Sequence, residues 1–394
     1  MAVVRFNEVD VIFGPNPSDA TEMLDSGAGR DEIFNKTQNL VAVHNASLQV
    51  EEGQICVLMG LSGSGKSSLL RCANGLNKVT RGQVIVRHDD EDIDVASCDW
   101  QTLHQLRTER ISMVFQQFAL MPWRTVRDNV GFGLELDGVP KEKLGRIVDE
   151  KLALVRLSEW AHKYPKELSG GMQQRVGLAR ALATDAGILL MDEPFSALDP
   201  LIREHLQDEL IQLQDELKKT IIFVSHDLDE ALKLGSLIAI MDAGKIVQVG
   251  TPEEIVSDPA NDYVRRFVAS MNPLKVLNCA SLMRPVSQLQ TVNGNTDRAL
   301  DMDKKFICSL DDKGRPDKIT HAGTDVSLIP FEDDLDLESL PHNVLVSADL
   351  ETPMRAAVEI NYVFGLPMPV IDKIGRLIGV VGTEEIFSGI LGDA

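Results

Sequence analysis

One octapeptide, Gly60-Leu61-Ser62-Gly63-Ser64-Gly65-Lys66-Ser67, limits what this chain can fold into more than any other stretch. It follows a short apolar run, Ile55-Cys56-Val57-Leu58-Met59, and leads into Ser68-Leu69-Leu70-Arg71. Strand, glycine-rich turn and helix, in that order, make a cradle for phosphate. Gly60, Gly63 and Gly65 let the backbone take positive φ and curl close to a polyphosphate, while the free N–H groups opening the next helix point at the same anion. Lys66 is placed to reach the β- and γ-phosphates, and the Ser67 hydroxyl to hold Mg²⁺. A plain glycine turn would not need lysine and serine at those offsets. Such a loop predicts a bound nucleotide without saying what it is for.

With 394 residues the chain exceeds the usual single domain, so two are expected. Its formal charge of −21 opposes binding to a phosphate backbone, which argues against nucleic acid as a partner. No apolar run approaches the length that spans a bilayer, and the N-terminus carries Glu8 and Asp10, unlike a signal peptide; a cytosolic location is expected. Cys56, Cys72, Cys98, Cys279 and Cys308 are odd in number and scattered, so reduced thiols are predicted rather than a disulfide framework or a zinc site.

Ahead of the loop, a first strand at Val3-Val4-Arg5-Phe6 is followed by a polar insertion, looped or briefly helical, and by two short strands, 41–43 and 46–50, joined by a turn. Beyond it come a strand at 82–87, a helix at 100–110 and a strand at 111–115 ending in Gln116-Gln117. The next residues, Phe118-Ala119-Leu120-Met121-Pro122-Trp123, are apolar yet cannot be regular structure around Pro122. They either cap the domain's own core or form a partner site. Helical spacing runs through 126–136 and 141–157, and a further helix at 173–183 opens at Leu168-Ser169-Gly170-Gly171-Met172-Gln173. Ser169 is a good N-cap, and its two glycines leave the helix N-terminus open to an anion.

Residues 187–191 form a continuous apolar run, as in a strand buried on both faces, and end in Asp192-Glu193-Pro194. Carboxylates at the carboxyl end of a central strand sit where ligands bind in open α/β sheets. Asp192 suits the magnesium shell, and Glu193 suits polarisation of an attacking water. Ser196-Ala197-Leu198-Asp199 reads as a turn before a long amphipathic helix from Pro200 to about Lys219. A second buried strand, 220–224, ends at Ser225-His226-Asp227, and a hairpin follows at 237–249.

These motifs, in this order over about 41–267, resemble the ATP-binding subunit of an ABC transporter. That family implies an α/β P-loop ATPase with a mixed sheet core, an antiparallel β subdomain and a helical subdomain. Residues 60–67 with Ser68 resemble the Walker A loop, and 188–192 resemble Walker B with Glu193 in the catalytic glutamate's position. Gln116 resembles the Q-loop glutamine, which also reaches the metal; 168–173, including Gln173, resemble the signature, 196–199 with Asp199 the D-loop, and His226 the switch histidine. The resemblance implies ATP and Mg²⁺, and a head-to-tail homodimer in which Ser169, Gly170 and Gly171 of one copy cover the ATP of the other. Lys66, Gln116, Glu193 and His226 would carry catalysis. It also implies membrane permease subunits docking at 118–123, an external substrate-binding protein reached indirectly, and peripheral attachment at the cytoplasmic face of the plasma membrane. An aromatic residue that stacks on adenine in many relatives is missing near Lys36-Thr37-Gln38, with Phe34 the nearest candidate.

Residues 59–66, 118–122, 191–203 and 259–264 are similar to the quaternary-amine importers of glycine betaine, proline betaine and choline. The insertion over 9–37, with Cys98 and Trp123, resembles the choline branch. The rival is a soluble ABC protein of translation or repair, which usually carries two cassettes or a long coiled-coil insertion.

Asn272-Pro273 breaks the last helix, so domains of 1–272 and 273–394 are expected. The tail holds an acidic linker at 331–336 and then strand, helix, strand, strand, which resembles a CBS module over about 342–392. Asp311-Asp312-Lys313-Gly314-Arg315 reads as the turn of a degenerate first copy. A smaller α+β domain that regulates or dimerises is therefore expected.

Overall fold

The computed structural model describes residues 2–391 except 117–118, 197, 270–273, 275, 293–295, 333–334 and 342, and omits the side chains of 213, 215, 217, 338 and 391. It divides into two compact units, Met1–Pro252 and Glu253–Ala394. The break expected at Asn272-Pro273 lies outside the described residues, and the division falls earlier because Val256 packs with Leu274 and Leu277 on the second core.

Among the described residues, ten strands build the first unit: β1 (Ala2–Phe13), β2 (Leu40–Glu51), β3 (Ile55–Met59), β4 (Arg81–His88), β5 (Glu91–Asp94), β6 (Ile111–Val114), β7 (Ile188–Asp192), β8 (Thr220–Val224), β9 (Leu237–Asp242) and β10 (Lys245–Gly250). Six form a sheet in the order β10-β9-β3-β8-β7-β6, parallel except for the β9–β10 hairpin. Every residue of β3, β7 and β8 is buried, which is why their sequences run apolar without alternation. The other four form an antiparallel sheet, β2-β1-β4-β5, whose inner residues Val4, Phe6, Leu48 and Val86 share one core with Leu58, Ile188 and Ile222 of the first sheet and with Leu69, which lies beyond β3.

The two strands expected at 41–43 and 46–50 are one strand, β2. Asn45 takes φ +48°, and the buried Asp10 carboxylate accepts its N–H at 2.7 Å while binding His44 Nδ1 and Arg81 Nε, so the ladder continues through the irregularity. The insertion before it is two helices, Pro17–Asp25 and Arg30–Thr37, packed on Ile12 and Val41 through Ala20 and Ile33. The helix expected at 100–110 is α-helical only over Trp100–Gln105 and finishes as a wider π-turn, Leu106–Arg110. Helices Val126–Val130, Lys141–Leu154 and Gly170–Ala183 pack together as the helical part of the unit.

In the second unit, Val344–Ser347, helix Met354–Phe364, Met368–Ile371, Leu377–Val381 and helix Thr383–Leu391 follow the expected order. The turn at 311–315 joins strands Phe306–Leu310 and Pro316–His321, its Asp311 carboxylate accepting the N–H groups of Lys313 and Arg315 at 2.8 Å each. Among the described residues this half has no helix matching Met354–Phe364. All five cysteines are free, and burial pushes the Cys56 thiol up to about 12, which keeps it protonated and inert.

Candidate functional site

β3 delivers the loop 60–67 to the carboxyl edge of the sheet. Gly60 takes φ +141° and Gly65 φ +99°, and a Cβ on either would collide with backbone, Met241 O for the first and Ala42 O for the second. The loop is thus wedged between β2 and the β9–β10 turn, where Gly244 N donates to Ser64 O at 3.1 Å. Leu61 stands exposed at its lip, beside Ser62 and Gly63. The helix that follows, Lys66–Leu70, is only one turn and a half, so the loop's own N–H groups matter more for an anion than a long-helix dipole does.

Lys66 folds back along the loop, with Nζ donating to Gly60 O at 2.8 Å and Leu61 O at 2.9 Å. Burial lowers the ammonium's affinity for its proton, while Glu193 and Asp192 act in the opposite sense. A bound triphosphate adds negative charge and raises that affinity again. Binding of ATP at alkaline pH is therefore expected to take up a proton, read as a binding heat that differs between buffers of unequal ionisation enthalpy. Identical heats through the alkaline range would show Lys66 fully charged beforehand.

The Ser67 hydroxyl donates to Asp192 Oδ1 at 2.6 Å, and Asp192 is fully buried at the end of β7. Two hard oxygens side by side fit Mg²⁺, which is commonly held by one or two protein oxygens and completed by phosphate and water. No larger His, Cys, Asp or Glu cluster able to hold a metal occurs among the described residues.

Glu193, next along, has φ +48°, a left-handed conformation that costs a non-glycine residue about 1–3 kcal/mol and that recurs at functional sites. It aims the carboxylate at Gln116, whose Nε2 donates to Oε2 at 2.9 Å, and at His226, whose Nδ1 lies 3.7 Å from the same oxygen. The structure thus brings Lys66, Ser67, Asp192, Glu193, Gln116 and His226 together along adjoining strand ends, β3, β8, β7 and β6. Gln117, the adjacent glutamine, lies outside the described residues.

Ser169 caps the helix Gly170–Ala183 through Met172 N at 3.3 Å, and no described hydrogen bond joins Ser169 to the loop. Gln173 turns its amide onto its own chain, to Pro165 O at 3.0 Å and Leu168 O at 3.3 Å, so it braces the turn before Ser169 rather than facing outward. Asp199 caps Pro200–Leu217 through Ile202 N at 3.1 Å. Of the apolar string, Phe118 lies outside the described residues. Met121 is pinned by Asn129, while Trp123 is 74 % exposed, so the described part does not cap the core with its largest side chain. Phe34 is 44 % exposed and, with Leu40, His44 and Lys245, lines a surface cavity of about 840 Å³.

One residue escaped the sequence reading. Arg71 grips Asp192 Oδ2 with Nε at 3.1 Å and an Nη at 2.7 Å, leaving Oδ1 to Ser67. Its signal was the four-residue spacing from Ser67, which puts both on one helix face.

A glycine cradle with its lysine, a serine–aspartate oxygen pair and a carboxylate poised beside them define a P-loop nucleoside triphosphatase. A family profile described as ABC transporter matches residues 43–196. The glycine betaine/proline betaine transport system ATP-binding protein ProV of Escherichia coli (strain K12) is 50 % identical over 273 residues, 69 % of this chain and 67 % of that one. The glycine betaine transport ATP-binding protein OpuAA of Bacillus subtilis (strain 168) is 40 % identical over 392 residues, 99 % of this chain and 93 % of that one. Among solved structures, the dimeric post-hydrolysis state of the ATP-binding cassette MJ0796 bound to ADP and Pi matches with a TM-score of 0.55 at 30 % identity, covering 63 % of this chain and 98 % of that one. The chain belongs to the ATP-binding subunits of ABC transporters, in the betaine-uptake family. It is accordingly an ATP hydrolase that works with Mg²⁺.

Proposed function

We propose that this chain powers import of a quaternary amine, choline or the betaines glycine betaine and proline betaine, from the cytoplasmic face of the membrane. The observation that carries this is the Lys66, Ser67, Asp192, Glu193 constellation in a chain that matches a glycine betaine transport protein along nearly its whole length. Two copies pack head to tail. Residues 60–68 hold the triphosphate of one copy, and Ser169, Gly170 and Gly171 of the other cover it, with Asp199 at the seam. Ser67 and Asp192, steadied by Arg71, would hold Mg²⁺, with Gln116 nearby, and the ion would supply positive charge against the phosphates. Glu193 orients a water and takes its proton as it attacks the γ-phosphorus in line, while the bond to the β–γ bridging oxygen breaks and ADP leaves with that electron pair. Lys66 and His226 meet the charge that spreads over the phosphoryl oxygens.

The exposed Trp123 and its neighbours 119–122 receive the permease, and the substrate is read outside this chain. The second unit, with its CBS-like order of elements, serves regulation. No helix among the described residues is long and apolar enough to cross a membrane. Reconstituted with its permease and binding protein, the complex is expected to accelerate ATP turnover and accumulate labelled substrate with at least one of choline, glycine betaine and proline betaine. The preferred amine identifies the branch, and indifference to all three would remove the assignment. A soluble role in translation or repair is not favoured by relatives that are transport proteins along the full chain.

A further inference from the structure

We infer that Gln174 is a positioning residue that ties the helix carrying Ser169 to Glu193 of the same chain. Gln174 is 2 % exposed on the inner face of Gly170–Ala183, where an apolar residue would pack without needing partners. Its Nε2 donates to the backbone carbonyl of Glu193 at 3.0 Å, and its Oε1 is buried without an acceptor's partner among the described residues. A half-satisfied buried amide lowers stability, so its presence asks for a purpose. That purpose lies at the other end of its bond. Glu193 holds φ +48°, and its carbonyl is fixed by Gln174 together with Ser196 Oγ at 3.1 Å, while Val224 O accepts its N–H. Gln174 thus helps hold the left-handed turn that aims the Glu193 carboxylate at Gln116 and His226.

Ser169 sits at the cap of the same helix, five residues before Gln174. Granted the two-copy reading above, Ser169 engages the partner's nucleotide, whereas Gln174 acts on the carboxylate of its own. Seating the helix at one site therefore sets the base at the other. The coupling runs through one rigid helix and one hydrogen bond.

Gln174→Leu keeps the volume and removes the donor. It is expected to lower kcat about tenfold while the KM for ATP, and ATP affinity measured in EDTA, stay within about twofold. Gln174→Glu separates positioning from packing. An ionised carboxylate cannot donate to the Glu193 carbonyl, but the protonated acid can, and burial raises its pKa. Its kcat relative to the native chain is expected to climb from about pH 8 towards about pH 6, while the leucine variant's ratio stays flat. Should the leucine not fold, Gln174→Met carries the same expectation. A kcat within twofold of native, a KM rising in step with the loss, or a flat ratio for the glutamate variant overturns the inference. Normal turnover in Glu193→Gln would instead remove the reading on which it rests.

Discussion

Glu193→Gln is expected to cut steady-state ATP turnover by at least about a hundredfold, the scale of a lost general base, while ATP still binds. Glutamine keeps the length and can still meet Gln116 Nε2 through its carbonyl oxygen, so the turn and the neighbouring Asp192 shell are undisturbed. Only the capacity to take a proton disappears. With chemistry stopped after closure, the dimer should accumulate, visible by size-exclusion chromatography as an ATP-dependent doubling of mass that native protein shows only transiently. Turnover close to native would take Glu193 out of this role and leave His226, at 62 % side-chain exposure, as the remaining group able to accept a proton there. The geometry disfavours that outcome. His226 reaches the site from outside, whereas Glu193 is held from both its backbone and its carboxylate.

The parts legible in the sequence are those where one local rule decides. β3, β7 and β8 are short, almost wholly apolar runs because both sheet faces are covered. Gly60 and Gly65 are required by contacts with Met241 and Ala42 far along or back in the chain, yet glycine spacing alone announces the loop. What the sequence hid depends on tertiary partners. Residues 41–50 carry an irregularity that looks like a turn until Asp10, 35 residues earlier, accepts Asn45 N. The hold of Arg71 on Asp192 spans 121 positions, and that of Gln174 on Glu193 couples a helix face to a backbone carbonyl, which no side-chain pattern records. The division into compact units falls before the expected break for the same reason: Pro273 is a conspicuous local breaker, whereas the side chain of Val256 packs on the second core. Gln173 illustrates the converse, a polar residue in a functional motif whose amide serves the motif's own backbone.

Lys66→Ala and Ser169→Arg are each expected to abolish turnover as homodimers, by roughly two orders of magnitude or more, for opposite reasons. In the proposed two-copy site the first removes the cation that would meet the phosphates, and the second fills the space where a serine would approach a nucleotide held by the other copy. Mixing the two chains should restore activity. In a two-fold dimer each site takes its loop from one copy and its cap from the other, so a mixed pair has one site with both defects and one with neither. Random pairing makes about half of the dimers mixed, and one intact site of two then gives about a quarter of native turnover. If Ser169 instead served the nucleotide of its own chain, every site would carry exactly one defect and mixing would gain nothing. A mixture no more active than either variant alone, with mixed dimers demonstrated by differential tagging, sinks the two-copy site. Restoration would equally establish that Lys66 and Ser169 do their work in different protein chains, and so why the bonds of Ser169 inside this single chain stay within its own helix.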